Sequence, residues 1–256
     1  MKALDTTRVL AVMRKELLDY RRTRAIVVTM IIFPFFFLVE PIVSIFVAPP
    51  SGSGASLDTF VRFPLLYMLL IPTVMPSTLA AYAVVGEREQ GTLEPLLTTP
   101  LRTNELILGK AAAVMVPTMV LSYSLYALFL LSVRLFAHSA IASAVFHDGP
   151  VLLALFLFAP LVAGWAIVVG LAVSVRANEV RVAQQLGALA SFPIVAVVLL
   201  MAVGVIHPTF EVAFAFAVGL LAIDLRALRI VSRMFDRERL VTGTKAIRSR
   251  TRRVSP

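Results

Sequence analysis

Gly86-Glu87-Arg88-Glu89-Gln90-Gly91-Thr92-Leu93-Glu94-Pro95-Leu96-Leu97-Thr98-Thr99-Pro100 is a charged segment, punctuated by Gly and Pro, set between two long apolar runs at 60–85 and 106–133. Each run exceeds the about 20 mostly apolar residues that cross a bilayer as a helix. Ionised side chains are costly in hydrocarbon, so a dense charged patch between two such runs lies in water. Read this way, the chain is an all-α polytopic membrane protein, and the segment is open to a soluble partner.

Four further apolar runs, at 25–48, 150–174, 183–205 and 209–230, bring the expected spans to six. None shows the alternation of an outer-membrane barrel strand. Composition agrees: 59% of residues are hydrophobic and 15% charged, with mean hydropathy +0.90. Soluble domains hold about 45–50% apolar and about 25% charged residues. The thinnest division falls between the last two spans, where only His207-Pro208 and their neighbours intervene. A shorter fifth span followed by a re-entrant piece, broken at Pro193 or Gly204, is the alternative there. The expected organisation is a cytoplasmic amphipathic helix over 1–24, a six-span region over 25–230, and a basic tail over 231–256.

Orientation follows the placement of Lys and Arg. Of the 24 basic residues, all but Arg62 and Arg134 fall in the segment before the first span, the 86–110 loop, the 174–182 loop or the tail. Both termini and both loops are therefore expected in the cytoplasm, which requires an even number of spans. The abundance of Arg, Ala and Val suggests a bacterial inner membrane. The net charge of +9 is then a property of topology. No basic face stands apart from these loops and tail, so no nucleic-acid partner is expected. The tail either touches anionic lipid or is a disordered retention flank. The first apolar run is too long for a cleavable signal. The chain has no Cys, hence no disulfide, thiolate metal site or Cys nucleophile.

Before the first span, Val9, Leu10, Met13, Leu17 and Tyr20 recur at three- and four-residue spacing. Arg14, Lys15, Glu16, Arg21 and Arg22 fill the other face. This pattern predicts an interfacial helix, serving either as an anchor or as a docking element. In the 86–110 loop, Gly86 and Gly91 permit a sharp exit from the second span. Thr92 is placed to cap a short helix in which Leu93, Leu96 and Leu97 share a face and Glu94 lies off it. Pro100 ends that helix, and Thr103 is placed to cap the next one.

The string Glu-Arg-Glu-x-Gly-Thr-x-Glu-x-Leu-Leu-x-x-Pro from Glu87, followed by Gly109-Lys110, resembles the cytoplasmic signature of ABC type 2 permeases. Arg14-Lys15-Glu16-Leu17 through Arg24, Pro34, and Ala183-Gln184 leading to Pro193 look similar too. The resemblance implies a permease subunit whose loop after the second span docks on an ATPase subunit as a coupling helix, about 87–100. Carried over, that contact falls on Glu87, Arg88, Glu89, Gly91, Thr92, Glu94, Leu96 and Leu97. A smaller contact falls on Arg176, Asn178 and Glu179. The resemblance also implies two copies of the ATPase and a second permease chain, as a homodimer, in contact with membrane lipids. ATP and Mg would sit on the ATPase. This chain holds no Gly-x-x-x-x-Gly-Lys-Ser/Thr phosphate loop, and no catalytic or metal-binding residue or cofactor is expected in it. The short connection at His207-Pro208 and the lone aromatic Phe192 within 183–205 depart from glycan exporters of the family. They favour an amphiphilic or apolar cargo, a drug-like natural product or a lipid.

Intramembrane ionisable groups are often functional. Glu40, in the outer part of the first span, either pairs with Arg62 to gate or line a path or simply reaches the outer interface. Asp224 is expected to pair with a nearby Arg. His138, His147 and His207 are scattered on the outer side, as solvated loop histidines are. The rival reading is an ion-coupled secondary transporter or channel, for which Glu40 is the only candidate and no inverted repeat is visible.

Overall fold

The computed structural model describes residues 5–47, 55–91, 101–177, 179–206 and 209–234, and every regular element among them is helical. In chain order these are α1 (Thr6–Arg22), α2 (Arg24–Ile42, continued by a π-helical turn, Val43–Val47), α3 (Ala55–Tyr67) and α4 (Leu70–Glu89). They are followed by α5 (Thr103–Phe136), α6 (Ser139–His147), α7 (Gly149–Arg176), α8 (Val180–Ala202) and α9 (Phe210–Met234). Five apolar stretches are long enough to cross a membrane: Ile26–Val47, Phe60–Glu87, Thr103–Phe136, Gly149–Arg176 and Val180–Met201. The sixth expected span falls on α9, which is not among these five stretches. Glu211, Asp224, Arg226 and Arg229 make it more charged than the other five. The connection expected between Arg134 and Gly149 holds the short helix α6.

The centre of the bundle is α7, which packs most extensively on α4 and also on α9, α8 and α5. Small residues make this possible. A Cβ added at Gly170 would stand 2.7 Å from Ala80 Cβ and 3.0 Å from the Ser77 carbonyl. Without a hydrophobic drive between helices in lipid, such close backbone approach is what holds them together. Ser174 sits fully buried at the same crossing. It accepts from the Val84 and Val85 N–H groups at 3.1 Å and donates to the Ala81 carbonyl at 2.6 Å.

The second span is two helices rather than one, with the break at Met68-Leu69. Proline at 72 has no N–H to give to the carbonyl four residues earlier, and its ring crowds that carbonyl. The freed Met68 oxygen must find a donor in a region without water. It receives the Ile71 N–H at 3.1 Å and the buried Tyr126 hydroxyl at 3.2 Å. By contrast, α2 lies at the periphery, with Val28, Ile31, Ile32, Phe35 and Phe36 exposed.

Candidate functional site

Three helices meet around one buried ammonium group. Lys110, two turns into α5, is 0% exposed. Its Nζ lies 2.9 Å from Glu16 Oε1 on α1 and 2.8 Å from Glu87 Oε2 at the end of α4. It also donates to the Ala83 carbonyl at 2.8 Å. The ammonium thus hydrogen-bonds Glu16 and the Ala83 carbonyl and forms an ion pair with Glu87. Lys15 closes the cluster from the rim, at 2.6 Å from Glu87 Oε1, 3.2 Å from Glu16 Oε1 and 3.1 Å from Asp19 Oδ2. Burial alone would lower the Lys15 pKa; the carboxylates of Glu16, Glu87 and Asp19 outweigh it and hold the ammonium above its ordinary value. The Tyr20 hydroxyl is buried nearby with no hydrogen-bond partner among the described residues. Burial and the same three carboxylates raise its pKa.

Sequence periodicity places Glu16 on the wrong face. The buried stripe of α1 is Val12, Glu16 and Tyr20, while Leu10, assigned to the apolar face, is exposed. The reason lies in α5: Gly109 has no side chain, so α1 rides directly on it, and a Cβ there would be 2.6 Å from Val12 Cβ. This contact turns the Glu16 face inward to Lys110. Farther along the same seam, Glu105 is also buried. Its carboxylate accepts the Arg102 N–H at 3.0 Å and the Asp5 N–H at 3.3 Å, and Arg8 lies 3.7 Å away. Thr103 is therefore the first residue of α5 rather than its cap, and Glu105 does the capping.

The exit from the second span also differs from expectation. Helix α4 runs straight through Gly86, whose missing side chain makes room for the Tyr82 ring. The sharp turn comes only at Gly91, with φ of 69°. The two expected contact loops approach each other just before it: Glu89 Oε1 accepts the Val180 N–H at 3.2 Å. Glu179 occupies the N-cap position of α8 without a side-chain capping bond, and Arg176 ends α7. Glu87, Glu89, Gly91, Arg176 and Glu179 thus gather at one end of the bundle. Thr92, Glu94, Leu96, Leu97 and Asn178 lie outside the described residues, as does the Arg88 side chain. A crevice of about 340 Å³ opens beside the cluster, lined by Lys15, Asp19, Arg22, Tyr82, Glu87 and Gln90, among others.

The charged residues of this apolar bundle are thus knitted together at one end, and the sequence that builds it matches a known family. The model of the ABC-2 family transporter protein covers residues 10–232. The chain belongs to the ABC-2 family. It is a permease subunit of an ABC transporter and a multi-pass membrane protein, and the family works with an ABC ATPase subunit. A comparison with curated proteins returned no match. Within this ABC-2 permease, the family match takes in α1 from Leu10 and ends within α9.

The other expected site residues fall elsewhere. Arg62 does not pair with Glu40. Its Nε lies 2.7 Å from Asp148 Oδ2. Asp148 also caps α7 through the Val151 N–H, which fixes that carboxylate next to α3. Glu40 is half-buried, and its Oε2 has no hydrogen-bond partner among the described residues. Asp224 makes no ion pair among the described residues. It faces Gly164 on α7, whereas Arg226 and Arg229 are exposed, rotated to other faces by the helical period. Among the described residues no three His, Asp or Glu side chains converge as metal ligands, and His147 turns Nδ1 to the Ser143 carbonyl. Sequence reasoning missed Glu16, Lys15, Lys110 and Glu105 as a unit. The signal was Lys110 itself: a lone cation inside Leu106-Ile107-Leu108-Gly109-Lys110-Ala111-Ala112-Ala113 demands a carboxylate.

Proposed function

We propose that this permease is the membrane half of an ATP-driven exporter, working as a homodimer with two cytoplasmic ATPase subunits. The observation that carries the reading is the Glu16–Lys110–Glu87–Lys15 cluster. It ties α1, the end of α4 and the start of α5 into one unit immediately beside the 87–100 segment. Contiguous rigid elements of this kind transmit movement. An ATPase gripping Glu89, Glu94, Leu96 and Leu97 would move the second and third spans together with α1. The hydrogen bond from Val180 to Glu89 would extend the movement to α8.

A bundle interior lined mainly by aliphatic and aromatic residues, without a charged wall, favours an amphiphilic or apolar cargo such as a natural product or a lipid. The exposed apolar faces of α2 and α9 supply surface for a second permease chain and for surrounding lipid. Two carboxylates without partners among the described residues, the half-buried Glu40 and the buried Asp224, favour the second reading, an ion-coupled carrier.

The test is co-purification with the cognate ATPase and measurement of ATP hydrolysis. A complex of two ATPase and two permease chains is expected, with hydrolysis stimulated by cargo. Glu89→Ala combined with Glu94→Ala should reduce stimulation without unfolding the permease. Failure of any ATPase to co-purify, with flux sustained by a proton or sodium gradient and abolished by Glu40→Gln or Asp224→Asn, would replace this reading by the ion-coupled one.

A further inference from the structure

A second crevice, of about 460 Å³, opens between α1, α2 and α5 on the side of the bundle that carries the charge cluster. Its size is within the range of ligand pockets, about 300–1,000 Å³. Leu17 and Leu18 of α1, Ile31 of α2 and Leu121 of α5 line it, and its surface is almost wholly apolar. The only charged residues in its lining are Arg14 and Arg21, both on α1. Both are exposed, and neither has an ion pair or hydrogen bond among the described residues. Neighbouring Lys15, by contrast, is taken up by three carboxylates. Two uncommitted guanidinium groups at an apolar slot, on a helix patterned to lie at the membrane interface, match one chemistry. That chemistry is an anionic head joined to a hydrocarbon chain.

We infer that this crevice is a binding site for an anionic phospholipid of the adjoining leaflet, with an acyl chain between α1, α2 and α5 and the phosphate on Arg14 and Arg21. Guanidinium groups suit phosphate because their N–H donors form a planar fork. A lipid seated there wedges α1 against α2 and α5, and so bears on the helix that carries Glu16 and Lys15.

The test uses the full chain, delipidated in neutral detergent and titrated with phosphatidylglycerol, with bound lipid counted by native mass spectrometry. One retained phosphatidylglycerol per chain is expected. Phosphatidylcholine should bind at least tenfold more weakly. Each basic residue at an anionic surface is worth about 1 kcal/mol, which is about fivefold in affinity. Arg14→Gln and Arg21→Gln should each weaken binding about fivefold and the double variant about 25-fold. Ile31→Trp should block the slot with both charges intact. Both arginines are exposed, so the unfolding temperature of their variants without lipid should match the parent and separates lost binding from lost folding.

The inference is overturned by equal binding of phosphatidylcholine, or by unchanged phosphatidylglycerol binding in the double variant. Full competition by glycerol phosphate would also overturn it, by showing an anion site with no chain slot. So would a change from dimer to monomer on Ile31→Trp with lipid binding intact, which would give the slot to a second copy of this chain.

Discussion

Replacing Lys110 by Met removes the charge at the centre of the three-helix junction while keeping most of the side chain's length. In the parent, Lys110 satisfies Glu16 Oε1, Glu87 Oε2 and the Ala83 carbonyl at 2.8–2.9 Å. Both carboxylates are over nine-tenths buried. In the variant they face each other with only the rim residue Lys15 between them. Removing one partner of a buried ion pair costs about 3–5 kcal/mol, because the other charge is left uncompensated. For a chain of this size each kcal/mol moves the melting temperature by about 2–4 °C, so a fall of about 6–20 °C is expected. The assay is thermal unfolding in detergent, followed by the fluorescence of the single Trp165, whose indole bonds the Ala190 carbonyl across α7 and α8. Glu87→Gln added to Lys110→Met removes one of the two facing carboxylates, leaving Lys15 to Glu16, and should restore at least half of the loss. Arg24→Met, at an exposed cation without a partner among the described residues, should stay within about 0.5 kcal/mol of the parent. The reasoning is refuted if Lys110→Met falls within that same margin, or if Glu87→Gln lowers the double variant further.

Ser174→Ala removes the three hydrogen bonds Ser174 makes across the α4–α7 crossing, while the Val84 and Val85 N–H groups keep their helical acceptors, and should destabilise by about 0.5–1.5 kcal/mol, read by the same melt. Tyr126→Phe takes one donor from the Met68 carbonyl, which keeps the Ile71 N–H. Hydrogen bonds in membrane proteins average about 0.6 kcal/mol with a maximum near 1.7, so this variant should lose less than Ser174→Ala. A double-mutant cycle of Arg62→Gln with Asp148→Asn, which keeps a capping side chain, should show coupling of at least about 0.5 kcal/mol. Arg62→Gln with Glu40→Gln should show none. The Lys15 pKa is raised in the folded state, so its stabilisation is fully present below the unfolded value, about 10.4, and is lost only as pH climbs through the higher folded value. The melting loss caused by Lys15→Met should therefore be the same at pH 7 and pH 9.

The spans were legible because a bilayer imposes one requirement, a long apolar run; five helices among the described residues meet it, and α9, expected as a sixth, does not. The charges of α9 were legible too, but their geometry was not. Hydropathy alone does not tell that Asp224 turns to Gly164 rather than to Arg226. The 86–100 segment stood out by composition and resemblance, whereas its buried support did not. Glu16 looked like one more charge on a polar face, and only the contact of Val12 on Gly109 turns it inward. Gly86 read as a turn and proved to be a seat for the Tyr82 ring. Arg62 was assigned the nearest intramembrane carboxylate along the chain. Its true partner, Asp148, is 86 residues away and is brought there by helix packing that no local pattern encodes.

The central claim is that an ATPase drives this permease through the 87–100 segment. The chain has no Cys, so a single Leu96→Cys variant gives a clean crosslinking handle. The decisive measurement is efflux from proteoliposomes holding this variant and its ATPase, before and after crosslinking the two subunits through that position. The account predicts an ATP-dependent flux, a specific crosslink to the ATPase, and loss of flux when the joint is locked. Undiminished flux without ATP, together with no crosslink at Leu96, would contradict it.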